Sequence, residues 1–136
     1  MLRVQTPLSD EVEELIRNTI GCCLAVHRAL GPGLRELMYS RALCIELDAN
    51  AIPHQRECRF PVRYRGHLLA EQRVDLVVKG QIVVEVKAVE QFAPVHHRQI
   101  VNYMRVAGVS AGLLVNFNVS CLKDGISRKV LTPGSS

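Results

Sequence analysis

Aromatic residues are scarce in this 136-residue chain, which has no tryptophan, three Phe and three Tyr. That leaves little from which to build base-stacking platforms, so a nucleic-acid partner would be met through its backbone or shape rather than its bases. No apolar run reaches the length of a membrane span. The first residues carry no apolar signal-peptide stretch, and a cytoplasmic protein without a membrane partner is expected. The five cysteines (Cys22, Cys23, Cys44, Cys58, Cys121) are odd in number and lack a C-x-x-C spacing. Cys22 and Cys23 are adjacent and diverge on a helix, so buried free thiols are expected rather than disulfides or zinc. There is no repeat or low-complexity segment, and only 132–136 reads as a loose tail.

What is present is a balanced globular composition, 48% apolar and 22% charged. The length suits a single domain spanning 1–136, with its core at about 10–131. The net charge of +4 permits a polyanionic partner. Five arginines, Arg56, Arg59, Arg63, Arg65 and Arg73, crowd one stretch, against Glu57 and Glu71. They suit either a phosphate-backbone contact or a charged edge that protects a strand from aggregation.

Ser9 followed by Asp10 and Glu11 marks a helix start, and apolar residues recur at helical spacing to Leu30. Gly31-Pro32-Gly33 ends that helix. A second helix is expected over about 34–50, strands over 54–64, 67–78 and 82–89, a helix over 94–107 and a strand over 112–117. A turn at 123–125 leads into a short last segment. The order α-α-β-β-β-α-β makes an α/β domain with a mixed sheet.

Within this order, Asp75 and Glu85-Val86-Lys87 are ionisable residues in strands apolar enough to be buried on both faces. Glu85 and Lys87 share a face. If Asp75 lies opposite Glu85, the pairs 76/84, 77/83 and 78/82 follow, with Lys79-Gly80-Gln81 as the loop. A two-residue turn would instead send Glu85 to the other face, and the carboxylates would converge only through a bulge. Two carboxylates beside a lysine suit a hard cation next to a phosphate; a salt-bridged structural cluster is the plainer alternative. Glu36 could add a third carboxylate, and Gln99 could orient a water or a phosphate oxygen. Tyr39 and Tyr103 suit core-edge positions whose hydroxyls reach water or a partner. His96 and His97 open their helix, phosphate-proximal or exposed rather than metal ligands.

Gly33-Leu-Arg-Glu36-Leu-Met-Tyr39, Val74-Asp75-Leu-Val-Val, Ile82-Val-Val-Glu85-Val-Lys87 and Pro94-Val-His96-His-Arg-Gln99-Ile-Val-Asn-Tyr103 occur in this order. Through them the chain resembles the bacterial GxxExxY family, placed in the PD-(D/E)XK nuclease superfamily. The resemblance implies a restriction-endonuclease-like αβββαβ core, its mixed central sheet flanked by helices. It implies a metal-dependent nuclease in which Asp75, Glu85 and the Val86 carbonyl bind Mg²⁺ or Mn²⁺. Lys87 would steady the attacking water or the scissile phosphate, with Glu36 and Gln99 also catalytic. The implied partner is nucleic acid, DNA ahead of RNA, and a homodimer or protein partner would help choose the substrate. The chain departs from the family in lacking a glycine just before Asp75 and in carrying Arg35 where an apolar or small residue is usual. The alternative is a nuclease-fold binding or interaction module with little or no turnover.

Overall fold

A computed structural model describes residues 6–132, so all but the first residue of the expected tail lies outside the described residues. The elements are α1 (Asp10–Leu30), α2 (Glu36–Ala49), β1 (His54–Tyr64), β2 (His67–Val78), β3 (Ile82–Lys87), α3 (Pro94–Ala107), β4 (Ala111–Asn116) and β5 (Ile126–Val130). A short 3₁₀ turn, Leu122–Gly125, precedes β5. One sheet runs β1-β2-β3-β4-β5, antiparallel except for the β3–β4 pair. That parallel pair needs a long crossover, which α3 supplies. The expected αβββαβ core with a mixed sheet is therefore present, with β5 added at one edge and β1 at the other.

The sheet separates two apolar layers. Leu76, Val78, Ile82, Val84, Val86, Leu113 and Val115 pack with α1 and α2, around Ile16, Cys23, Leu43 and Leu47. Val74, Val77, Val83 and Leu114 pack with Ile100 and Met104 of α3. Burial on both faces is what the unbroken apolar runs of β3 and β4 dictate. Among the described residues no helix is long and apolar enough to cross a membrane. All five cysteines are free, but only Cys22 and Cys23 are buried; Cys44 and Cys58 are half-buried and Cys121 is exposed. Burial pushes the Cys23 thiol up to about 12, an inert core sulfur.

Local chemistry sets the element ends. The Ser9 hydroxyl accepts from Val12 N–H at 3.2 Å and caps α1. Gly31, at φ 65°, ends that helix and donates to the His27 carbonyl at 2.8 Å. Strand β3 stops at Lys87, two residues earlier than expected, because a buried side chain takes over from the ladder. Asn116 accepts from Val89 N–H at 3.1 Å and donates to the Val89 carbonyl at 2.7 Å. The segment after Lys87 is thus pinned to the end of β4.

Two glycines pack tightly. A Cβ on Gly112 would lie 2.7 Å from Met104 Sδ, a side-chain atom that can swing aside. A Cβ on Gly125 would run into the backbone carbonyl oxygen of Asn116, which cannot move without disturbing the Val89 clasp. Gly125→Ala is therefore expected to lower unfolding free energy by about 1–3 kcal/mol, and Gly112→Ala by less. Urea denaturation of the two variants beside wild type checks the order.

Candidate metal and phosphate site

The β2–β3 hairpin adopts the register that opposes the two carboxylates. Leu76 pairs with Val84, Val77 with Val83 and Val78 with Ile82. Gln81 N–H closes the turn onto the Val78 carbonyl at 2.9 Å, with Lys79 and Gly80 at φ 50° and 66°. Beyond Leu76 the backbone ladder gives way to a cross-clamp. Asp75 N–H donates to Glu85 Oε1 at 2.9 Å, and Val86 N–H donates to Asp75 Oδ2 at 3.0 Å. Each carboxylate is anchored by an amide of the opposite strand.

Asp75 also marks a reversal of faces in the β1–β2 hairpin. Leu76 belongs to the layer under α1 and α2, yet Val74, two residues away, belongs to the α3 layer. Its partner strand does the same. Arg56, opposite Leu76, lines a pocket with α2, whereas Cys58, opposite Val74, packs on the α3 layer. Glu57 sits between them at φ 55°, a left-handed conformation that costs a non-glycine residue roughly 1–3 kcal/mol. Glu57 and Asp75 fall at the same level and are both missing from the ladder, so the pairing sum is preserved on either side.

Glu85 is buried, and its pKa is raised to about 8, chiefly by desolvation and then by the negative charge of Asp75. Lys87 lies two residues on and opposes the rise through its charge, without a direct ion pair to Glu85 among the described residues. Tyr103, on α3, is also pushed up, first by burial and then by Glu85 and Asp75. The pair of acids is thus faced by α3 on one side.

On the other side lies a cavity of about 530 Å³ lined by Arg35, Glu36, Arg56, Glu57, Arg73 and Asp75, with apolar and small residues of α2 and β3's exit closing it. Glu36 Oε1 accepts from Ala88 N–H at 3.4 Å. It shares the cavity with Asp75 but is not drawn into the carboxylate pair. No group of three or more His, Cys, Asp or Glu side chains is gathered to hold a metal ion among the described residues.

The donor chemistry nevertheless suits a hard cation. A buried carboxylate, Glu85, meets a half-buried one, Asp75, where one proton, or one dication, relieves their repulsion. Backbone amides occupy one oxygen of each, Glu85 Oε1 and Asp75 Oδ2, which leaves Glu85 Oε2 and Asp75 Oδ1 free of those bonds.

Several expected residues have other work. Tyr39 is fully buried, stacked on Phe117 at 4.7 Å, and its hydroxyl donates to the Gly31 carbonyl at 2.5 Å and accepts from Leu34 N–H at 3.1 Å. It reaches neither water nor a partner; it holds the 31–34 loop that starts α2, and so sets where Glu36 stands. His96 turns its ring inward to its own helix start, where Nδ1 accepts from Ala93 N–H at 3.0 Å. Through that bond it caps α3. Gln99 is half-buried on α3, one turn before Tyr103, and does not line the cavity. The arginine group divides: Arg56 and Arg73 line the cavity, Arg59 pairs with Arg73 across the ladder, and Arg63 and Arg65 sit at the exposed far end of the hairpin. Glu57 and Arg35, both lining the cavity, carried no site role in the sequence. Nothing in strand periodicity announces the left-handed residue that brings Glu57 there.

A family model described as PD-(D/E)XK nuclease superfamily matches residues 13–129, and the chain belongs to that superfamily. No curated protein and no solved structure matches the chain.

Two predictions follow from the geometry. Glu85 holds its proton in the folded state up to about 8 but would lose it near 4.5 when unfolded. Its contribution to metal-free stability is therefore complete below the unfolded value and is lost as pH rises through the folded one. In EDTA the melting temperature should fall between pH 5 and 8.5, and Glu85→Gln, neutral throughout, should flatten that slope. An unchanged slope in the variant would place the titration elsewhere. Separately, Tyr39→Phe should cost about 1–3 kcal/mol, since it leaves Leu34 N–H and the Gly31 carbonyl without their partner; urea denaturation measures it.

Proposed function

We propose that this PD-(D/E)XK superfamily protein is a divalent-metal-dependent nuclease of the GxxExxY group, hydrolysing phosphodiester bonds of nucleic acid. The observation that carries the reading is the Asp75–Glu85 cross-clamp: two carboxylates fixed against each other by opposite-strand amides, where β2 and β3 part. Such a pair repels itself, and a structural role would have been served by apolar residues at less desolvation cost. Asp75, Glu85 and the Val86 carbonyl would hold Mg²⁺ or Mn²⁺. When bound, the ion supplies Lewis acidity, making a water more acidic and neutralising charge that develops on the phosphate. Lys87 projects from the same strand face as Glu85 and adds positive charge for the attacking water or the scissile phosphate. Gln99 and Tyr103 border the site from α3, and Glu36 from α2. Arg56 and Arg73 take the backbone phosphates, with Arg59, Arg63 and Arg65 extending the basic strip along the hairpin. The whole core, about 10–131, acts as one domain, in the cytoplasm, on DNA ahead of RNA, and a second copy or a protein partner helps select the substrate.

One observation favours a second reading, a nuclease-fold binding module with little turnover. Among the described residues only two carboxylates are gathered, and Glu36 stands off at Ala88.

The test is Mg²⁺ and Mn²⁺ calorimetry with wild type, Glu85→Gln and Lys87→Ala, run beside a panel of labelled DNA and RNA. For a nuclease, wild type binds metal and cleaves, and Glu85→Gln loses both. Lys87→Ala should keep metal affinity while cleavage falls by about 100-fold or more. Metal binding and nucleic-acid binding without cleavage would establish the binding module. Absence of metal binding in wild type would sink both the catalytic reading and the metal assignment.

A further inference from the structure

Arg73 stands between two carboxylates. Its Nη1 lies 3.3 Å from Glu57 Oε1, while its Nη2 lies 3.9 Å from Asp75 Oδ1. The same Glu57 oxygen takes Arg56 Nη2 at 3.1 Å. The closer, hydrogen-bonded contact is therefore with Glu57, and the contact with Asp75 is a looser one. Asp75 Oδ1 is also the oxygen that the opposite-strand amide leaves free, since Val86 N–H is bound to Oδ2.

An arginine that closed fully on Asp75 would occupy the oxygen a cation needs, and would add a like charge beside that cation. Something must draw the guanidinium aside. Glu57 is placed for this by a backbone conformation that its residue type does not favour, in the middle of a strand, at the level of Asp75. Strain of this kind persists where the surrounding structure imposes it, and it gathers at functional sites.

We propose that Glu57 is a positioning residue that holds Arg73 off Asp75, keeping the free carboxylate oxygen open to a divalent cation and Arg73 ready for an adjoining phosphate. The proposal rests on the metal-site reading above. It makes Glu57 a guard of the site and not a metal ligand. In its absence the guanidinium falls onto Asp75, and the cation must displace it.

Removal of Arg73 should then undo the damage done by removal of Glu57. Mg²⁺ and Mn²⁺ are titrated calorimetrically into the full chain as wild type, Glu57→Gln, Glu57→Gly, Arg73→Ala and the Glu57→Gly/Arg73→Ala double variant. Thermal melting is recorded for each in EDTA. Loss of the Glu57 carboxylate should weaken metal binding by about tenfold or more. Arg73→Ala alone should bind as tightly as wild type or more tightly, and the double variant should return to within about twofold of Arg73→Ala. Glu57→Gly relieves the backbone strain and should melt no lower than Glu57→Gln, so weaker metal binding in both variants reports the lost carboxylate and not a damaged strand. If both single Glu57 variants bind like wild type, the guard role is wrong. If the double variant stays as weak as Glu57→Gly, Glu57 itself ligates the metal and the proposal falls. If wild type binds no metal, the nuclease reading fails at its root and the guard role with it.

Discussion

Two acidic side chains held against each other by backbone amides of opposite strands govern this structure. The bonds from Asp75 N–H to Glu85 and from Val86 N–H to Asp75 replace the strand ladder at the point where β2 and β3 part. In a regular hairpin the amides would bond to carbonyls and the acids would be free to turn to solvent. Here the amides consume part of each carboxylate's hydrogen-bonding capacity and fix its direction. Burial of Glu85, and then the negative charge of Asp75 beside it, raises the Glu85 pKa. The fold thereby stores a site that is short of one positive charge.

The rest of the chain can be understood as support for that point. Tyr39, stacked on Phe117, ties the loop before α2, and Asn116 ties the segment after β3. Phe117 follows Asn116 directly, and its N–H donates to the Lys87 carbonyl at 2.9 Å. One short stretch at the end of β4 therefore braces both the helix that bears Glu36 and the strand that bears Glu85 and Lys87. Two of the chain's few aromatic rings are used in this brace. For the proposed nuclease, that would leave recognition of nucleic acid to charge and shape.

Much of this was legible in the sequence. Element order and the mixed sheet follow from apolar runs and turn residues, and of the two hairpin registers the sequence allowed, the structure carries the one that opposes Asp75 and Glu85. What was not legible depends on contacts between distant segments. Strand β3 reads as continuing through Val89 because its residues are apolar, but Asn116, 27 residues away, takes both backbone groups. The Tyr39 hydroxyl looks available until the loop it holds is seen. Neither the neighbours of Glu57 nor its residue type predicts a left-handed backbone there. Such residues are chosen by the strand beside them and not by their own preference.

The matched reversal at Glu57 and Asp75 has a consequence for how this chain can change length. Each strand of the hairpin carries its own step at this level, and the two cancel, which is why the pairing stays in phase out to Val62 and Ala70, where a separate bulge shifts it. Deleting either residue alone would rotate the outer ribbon, from Cys58 to Val74, onto the wrong faces, exposing Val74 and Phe60 and withdrawing them from α3. Deleting both would restore a plain ribbon while removing the acid at the centre of the site. At this level the hairpin can therefore gain or lose a residue only in pairs.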